Sequence, residues 1–153
     1  MAYSGQSDTY CCAWVNDCSE SILFAQAETW QLIQVIETVN PGFGISIEVP
    51  GVIEVGQDGV FAISYQLSFG GTANTLFAFV MGKEDGSFMY PCTYREQMIM
   101  VGQPSGNIEN INSLSFFPLS GGDRLCLFGK SITAANRTLT PRVCTLSAFR
   151  FPV

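Results

Sequence analysis

The chain has 153 residues; 47% are hydrophobic, twelve Phe among them, and 13% are charged, about half the charged share of ordinary soluble domains. Thirteen acidic against seven basic residues give a net charge of −6, and the scattered Arg and Lys form no basic stripe, which argues against a nucleic-acid partner. No apolar run reaches the ~20 residues a helix needs to cross a bilayer, so no membrane insertion is expected.

About 150 residues suffice for one domain with a sizeable core. A compact monomer must present a solvated surface, and the charged residues supply it thinly. The apolar surplus is therefore expected between subunits.

In chain order, residues 1–21 are rich in Ser, Gly, Asp, Asn and Cys, with Trp14-Val15 as the one apolar knot. They are expected to form an extended N-terminal connector arm ahead of a single domain at 22–153. Cys11, Cys12 and Cys18 sit on this arm. Pairing the adjacent Cys11 and Cys12 would close a strained ring, so they are expected to reach different partners, as intersubunit cross-links. Trp14 is expected to anchor the arm in a partner's groove, where a buried indole is a common hot spot. The start lacks a basic segment followed by an apolar one, so no secretory signal peptide is expected.

From Ile22 onward the chain reads as strand. Residues 32–36 end before an expected turn at Asn40-Pro41-Gly42. Residues 44–49 alternate, Pro50-Gly51 turns, and 52–55 follow. The clearest strand is 59–69: Phe61, Ile63, Tyr65, Leu67 and Phe69 fall on one face and small or polar residues on the other, a period of two. Gly70-Gly71 is expected to close it. Residues 76–81 and 125–128 are apolar at every position, which implies burial on both faces, and a second copy of the subunit is the expected cover. Gly82 to Gly86 reads as a hairpin loop, with strands at 87–90, 96–101 and 107–117. Gly121-Gly122-Asp123 turns into 124–129, and 142–151 is the last strand. No amphipathic helix or repeat appears. Eight to ten short strands with regular turns mean an all-β sandwich or jelly roll.

Two stretches carry a resemblance. Gly59-Val60-Phe61-Ala62-Ile63-Ser64-Tyr65 resembles the glycine, aromatic and alternating strand of the TNF-like jelly-roll superfamily, which includes complement-type globular heads. Leu119-Ser120-Gly121-Gly122-Asp123-Arg124-Leu125-Cys126-Leu127 is similar to that superfamily's Gly-Asp turn and penultimate strand. The likeness covers about residues 40–153. It implies an antiparallel β-sandwich jelly roll that assembles as a homotrimer, its apolar strand faces meeting along a three-fold axis. Phe77, Phe79, Met81, Phe128, Phe149 and Phe151 are then the interface candidates. It also gives Gly122 a positive φ and makes Asp123 an acceptor for backbone N–H groups in the turn, rather than a catalytic or metal-binding residue. Bacterial members occur in the outer layer of spores. A cysteine-bearing connector ahead of a jelly roll is similar to the subunits of spore appendage fibres, although the cysteine and strand patterns here differ and no Gly-X-Y stalk is present.

Catalytic constellations are missing. Without histidine, Ser-His-Asp and Cys-His nucleophilic systems and imidazole metal ligands are ruled out. A cysteine-only zinc site needs four thiolates, commonly as two CxxC pairs, and the arm has the wrong spacing. Glu84-Asp85 reads as a solvated turn, Trp30 as packing, and Cys126 and Cys144 as small core residues inside strands. Neither an enzyme, a cofactor nor a resident metal is expected.

The expected function is a structural, self-assembling subunit of an extracellular or spore-surface fibre or coat. Its partners are further copies of itself and, at an attachment point, an anchoring surface protein; export would bypass the general secretory route. The alternative is a trimeric receptor- or carbohydrate-binding head of a fibre or phage tail, with Phe88 and Tyr90 facing ligand.

Overall fold

The computed structural model describes residues 10–16, 21–33, 37–41, 45–46, 51–85, 97–101 and 108–151. These residues form twelve strands and no helix: β1 (Tyr10–Asn16), β2 (Ile22–Phe24), β3 (Gln31–Ile33), β4 (Glu37–Pro41), β5 (Ile45–Ser46), β6 (Val52–Val55), β7 (Gly59–Gly71), β8 (Thr75–Lys83), β9 (Gln97–Val101), β10 (Glu109–Leu119), β11 (Arg124–Ser131) and β12 (Arg137–Arg150). Two antiparallel sheets result. The first has the order β10-β7-β12-β1-β4, with β2 also paired to β12; the second has the order β5-β6-β11-β8-β9, with β3 also paired to β11. No described helix is long and apolar enough to cross a membrane.

The period-two pattern of β7 decides the core. Phe61, Ile63, Tyr65, Leu67 and Phe69 are buried in one cluster with Leu139, Cys144, Leu146 and Ala148 of β12, with Ile111, Phe117 and Leu119 of β10, and with Phe77, Phe79, Leu125 and Leu127 of the second sheet. Within it, the Phe69 ring is tilted against Phe79 at 5.2 Å and edge-on to Phe77 at 6.0 Å, and Phe77 is tilted against Phe24 at 5.8 Å. Tilted and edge-on pairs suit the ring quadrupoles better than a face-to-face sandwich.

Several elements differ from the sequence expectation. Asn40 and Pro41 are the last two residues of β4, an edge strand among the described strands, where the missing N–H of proline is tolerated; Gly42 lies outside the described residues. Gly70 and Gly71 continue β7, and the reversal comes at Asn74, which takes φ +56°. Gly82 and Lys83 belong to β8. β12 starts at Arg137 rather than at 142, accommodating Pro141 at a shift in its register with β7. Tyr10–Asn16, assigned to the connector, pairs as β1 with β12 (Cys11 opposite Ala148, Cys12 opposite Ser147, Trp14 opposite Thr145) and with β4. Cys18, Cys92, Phe88 and Tyr90 lie outside the described residues.

Cys126 is buried with a free thiol in β11. Burial, reinforced by the nearby Glu84, pushes the thiol up to about 12 from an ordinary value of 9.0. Natively folded protein at pH 8 is therefore expected to leave Cys126 unalkylated by iodoacetamide, whereas urea-unfolded protein reacts fully, as peptide mass spectrometry reads directly. The folded value exceeds the unfolded one, so stability from this group is intact below pH 9 and falls as pH rises from 9 towards 12.

Candidate association surface

Once the odd residues of β7 and β10 point inward, their even residues must line the opposite face of the first sheet. Register sets them abreast. Phe116 and Phe149 flank Ala62, Leu114 and Ser147 flank Ser64, and Asn112 and Thr145 flank Gln66. The face is thus divided. One end is apolar: Val60, Leu114, Phe116, Phe149 and Phe151 are 42%, 62%, 48%, 43% and 40% exposed. Phe151 links the two flanking aromatics, 5.5 Å from Phe116 and 6.3 Å from Phe149. It is held by its N–H donating to the Val60 carbonyl at 2.9 Å. Single exposed apolar residues need no explanation, but here the three aromatic rings are contiguous on one sheet face.

The other end is polar and uncharged. Ser64 and Ser147 share a hydrogen bond, and the Ser68 hydroxyl donates to Asn110 Oδ1. A shallow cleft of about 330 Å³ opens here between Ser64, Gln66, Asn112, Ser113, Leu114 and Thr145.

The six expected interface residues separate into three groups. Phe149 and Phe151 lie on the exposed face. Phe77, Phe79 and Met81 do not reach any surface: they are core residues of the single subunit, enclosed by its own first sheet. Phe128 is half-buried against the same core. The two-sided apolar runs of β8 and β11 are closed within one chain, since Ala78, Val80 and Cys126 on the far parity are also buried, and no second copy is needed to cover them. Trp30 is half-buried against the core, with Lys130 Nζ 4.5 Å from its ring. Phe116, Leu114 and Val60 were not among the expected residues. The signal for two of them was present in β10, where Leu114 and Phe116 are out of phase with Ile111, Phe117 and Leu119.

The turn between β10 and β11 is built by backbone geometry. Gly122 takes φ +93° and its N–H donates to the Val55 carbonyl at 2.7 Å. Asp123 Oδ2 accepts the Ser120 N–H at 2.8 Å and lies 3.2 Å from Lys83 Nζ, while Asp58 Oδ1 accepts the Gly121 N–H at 2.8 Å. Both acids are occupied as turn acceptors. A Cβ on Gly122 would meet nothing within 4 Å, so Gly122→Ala carries a pure backbone penalty of about 1–2 kcal/mol. The expected result is a melting temperature lowered by roughly 2–8 °C, read by calorimetry. Among the described residues, no three His, Cys, Asp or Glu side chains gather as a metal site.

Two antiparallel sheets in this strand order define a jelly-roll sandwich. The sequence matches no protein-family model and no curated protein. Solved structures place the fold in the TNF-like class. The chain is similar to the globular domain of a zebrafish complement 1qA protein (10% identity, TM-score 0.56, covering 94% of this chain and 98% of that one). It is also similar to Eiger TNF from S. frugiperda (12%, 0.57, 94% of each chain) and to murine APRIL (14%, 0.55, 93% and 99%). At these identities the likeness establishes the fold, and function has to be argued from the surface.

Proposed function

We propose that this chain is a structural, self-assembling subunit that trimerises through the solvent face of its first sheet and builds an extracellular or spore-surface fibre or coat. The observation that carries this reading is the exposed aromatic group of Phe116, Phe149 and Phe151, on a chain whose charged share is only 13%. The TNF-like fold and the resemblance to spore appendage subunits favour the trimer and the fibre. In this reading the N-terminal arm joins successive units. β1 is its docked form, and the same ladder beside β12 can be made by the identical segment of a neighbouring copy. Cys11, Cys12 and Cys18 then fix the joint as disulfides, Trp14 anchors it, and a surface protein holds the end of the assembly. Electron microscopy and light scattering with and without reductant test this. Filaments with SDS-resistant ladders that collapse on reduction are expected, and unchanged assembly of a Cys11→Ser/Cys12→Ser/Cys18→Ser variant would exclude the covalent joint.

One observation favours a second reading, a trimeric carbohydrate-binding head: an uncharged, largely apolar cleft with the Gln66 and Asn112 amides and the Ser64 and Thr145 hydroxyls at its walls, beside exposed aromatic rings. It predicts finite trimers that bind a neutral oligosaccharide in calorimetry, with binding lost in Gln66→Ala.

A further inference from the structure

β9 gives one set of side chains to the core and the other to water. Ile99 packs against the core cluster, and Val101 belongs to it with no exposed surface. They sit opposite Phe77 and Thr75 of β8, both fully buried. Side chains alternate between the two faces of a strand, so Met98 and Met100 lie on the outer face of the second sheet. They are 60% and 50% exposed, and among the described side chains of that sheet no other large apolar one is exposed. Met81 of β8 belongs to the core and is 4% exposed. The second sheet therefore holds two thioethers in water on one face, two residues apart, and keeps a third inside.

A methionine differs from a leucine of similar size in its polarisable sulfur, whose lone pairs accept an oxygen atom. The thioether attacks one oxygen of a peroxide. The S–O bond forms as the O–O bond breaks, and sulfur gives up two electrons. The hydroxide that leaves takes the proton of the transferred oxygen and departs as water. The product is a polar sulfoxide, which disrupts a core but sits readily in water. At Met81 enclosure keeps the oxidant away. At Met98 and Met100 the new S=O group meets solvent, and the inward residues Ile99 and Val101 are untouched.

We propose that Met98 and Met100 form a paired oxidation site for peroxide-class oxidants, and that their conversion to sulfoxides turns this part of the second sheet's outer face from apolar to polar without disturbing the sandwich. Three features combine here. The exposure of the two thioethers contrasts with the enclosure of Met81. The register places Met98 opposite Ala78 and Met100 opposite Leu76, so both oxygens are added to one patch, and neither neighbour on β8 is charged. The strand is held independently of the two sulfurs, by its ladder with β8, by Ile99 and Val101 in the core, and by the Asn74 N–H donating to the Val101 carbonyl at 2.8 Å. The pair lies on the sheet opposite the proposed association face, so this site stands or falls independently of that association.

The test uses full-length protein with Cys11, Cys12, Cys18 and Cys92 changed to Ser, so that these thiols do not consume the oxidant. After limited treatment with hydrogen peroxide, peptide mass spectrometry is expected to find Met98 and Met100 oxidised at least ~10-fold faster than Met81, a difference that disappears in urea. The melting temperature of the oxidised protein should stay within ~2 °C of the untreated protein, as for other surface changes. On a hydrophobic-interaction column it should elute earlier. Met98→Leu/Met100→Leu, which keeps volume and apolarity, should lose most of that shift under the same treatment. Oxidation of Met98 and Met100 no faster than that of Met81 in the folded protein overturns the proposal. So does an elution shift of full size in the double variant, or a melt that collapses once the pair is oxidised. If the double variant does not fold, the ratio of the peptide rates in folded and urea-unfolded parent decides alone.

Discussion

Phe149→Asp is expected to convert the associated protein into monomers without unfolding it. Phe149 stands on the outward parity of β12, opposite Ala62 and 6.3 Å from the Phe151 ring. A carboxylate there stays in water in the isolated subunit, so the folded monomer should lose at most about 0.5 kcal/mol, as surface substitutions do. In an interface the change acts twice. It forfeits the burial of one aromatic side chain, about 2 kcal/mol, and it forces an unpaired charge out of water, which costs several kcal/mol more. A loss above about 4 kcal/mol is a weakening of roughly 1,000-fold or more. Sedimentation velocity across a concentration series should show a single monomeric species, with a melting temperature within ~2 °C of the parent at equal dilution. An unchanged mass distribution would remove the aromatic group from the interface and with it the main support for self-assembly through this face.

The parts of the fold that could be read beforehand were those where side-chain parity is visible. In β7 large and small residues alternate, and the structure keeps that division. At the turn before β11 only glycine suits φ +93° and Asp123 supplies the acceptor, so two residues announce the geometry. In β8 every residue from Leu76 to Met81 is apolar, and such a run does not say which set points inward. Phe77 and Phe79 could be placed on an interface by resemblance and still belong to the core. Three prolines misled or went unused because proline reads as punctuation. Pro41 and Pro118 lie on strands that end the described order of the first sheet, and Pro141 lies at a register shift, all places where a missing N–H is tolerated. The segment at 10–16 looked like a bare arm because composition reports apolar side chains, whereas β1 is held by backbone bonds to β12 and β4. Those bonds depend on two strands that are distant in sequence.

Phe77→Ala is the second large effect expected, and it discriminates between the two places this residue could occupy. Phe77 is fully buried and touches Phe24 at 5.8 Å and Phe69 at 6.0 Å; a Cβ on Gly71 would come within 3.2 Å of its ring. β2 and β7 of the first sheet hold these neighbours across from β8, and a fixed ladder cannot collapse inward to fill the space. Truncation therefore loses the transfer free energy of the ring and leaves a cavity, together about 3–5 kcal/mol. That is a large part of a total stability of ~5–15 kcal/mol, and the melting temperature should fall by roughly 6–20 °C. Because the loss lies inside one subunit, it should be the same size at every protein concentration. Phe77→Leu, which keeps most of the volume, should recover more than half of it. A residue at a three-fold interface would behave oppositely, shifting the mass distribution while the dilute monomer melted as before. Calorimetry of both variants at two concentrations reads the difference, and a Phe77→Ala melt within 2 °C of the parent would contradict the core assignment.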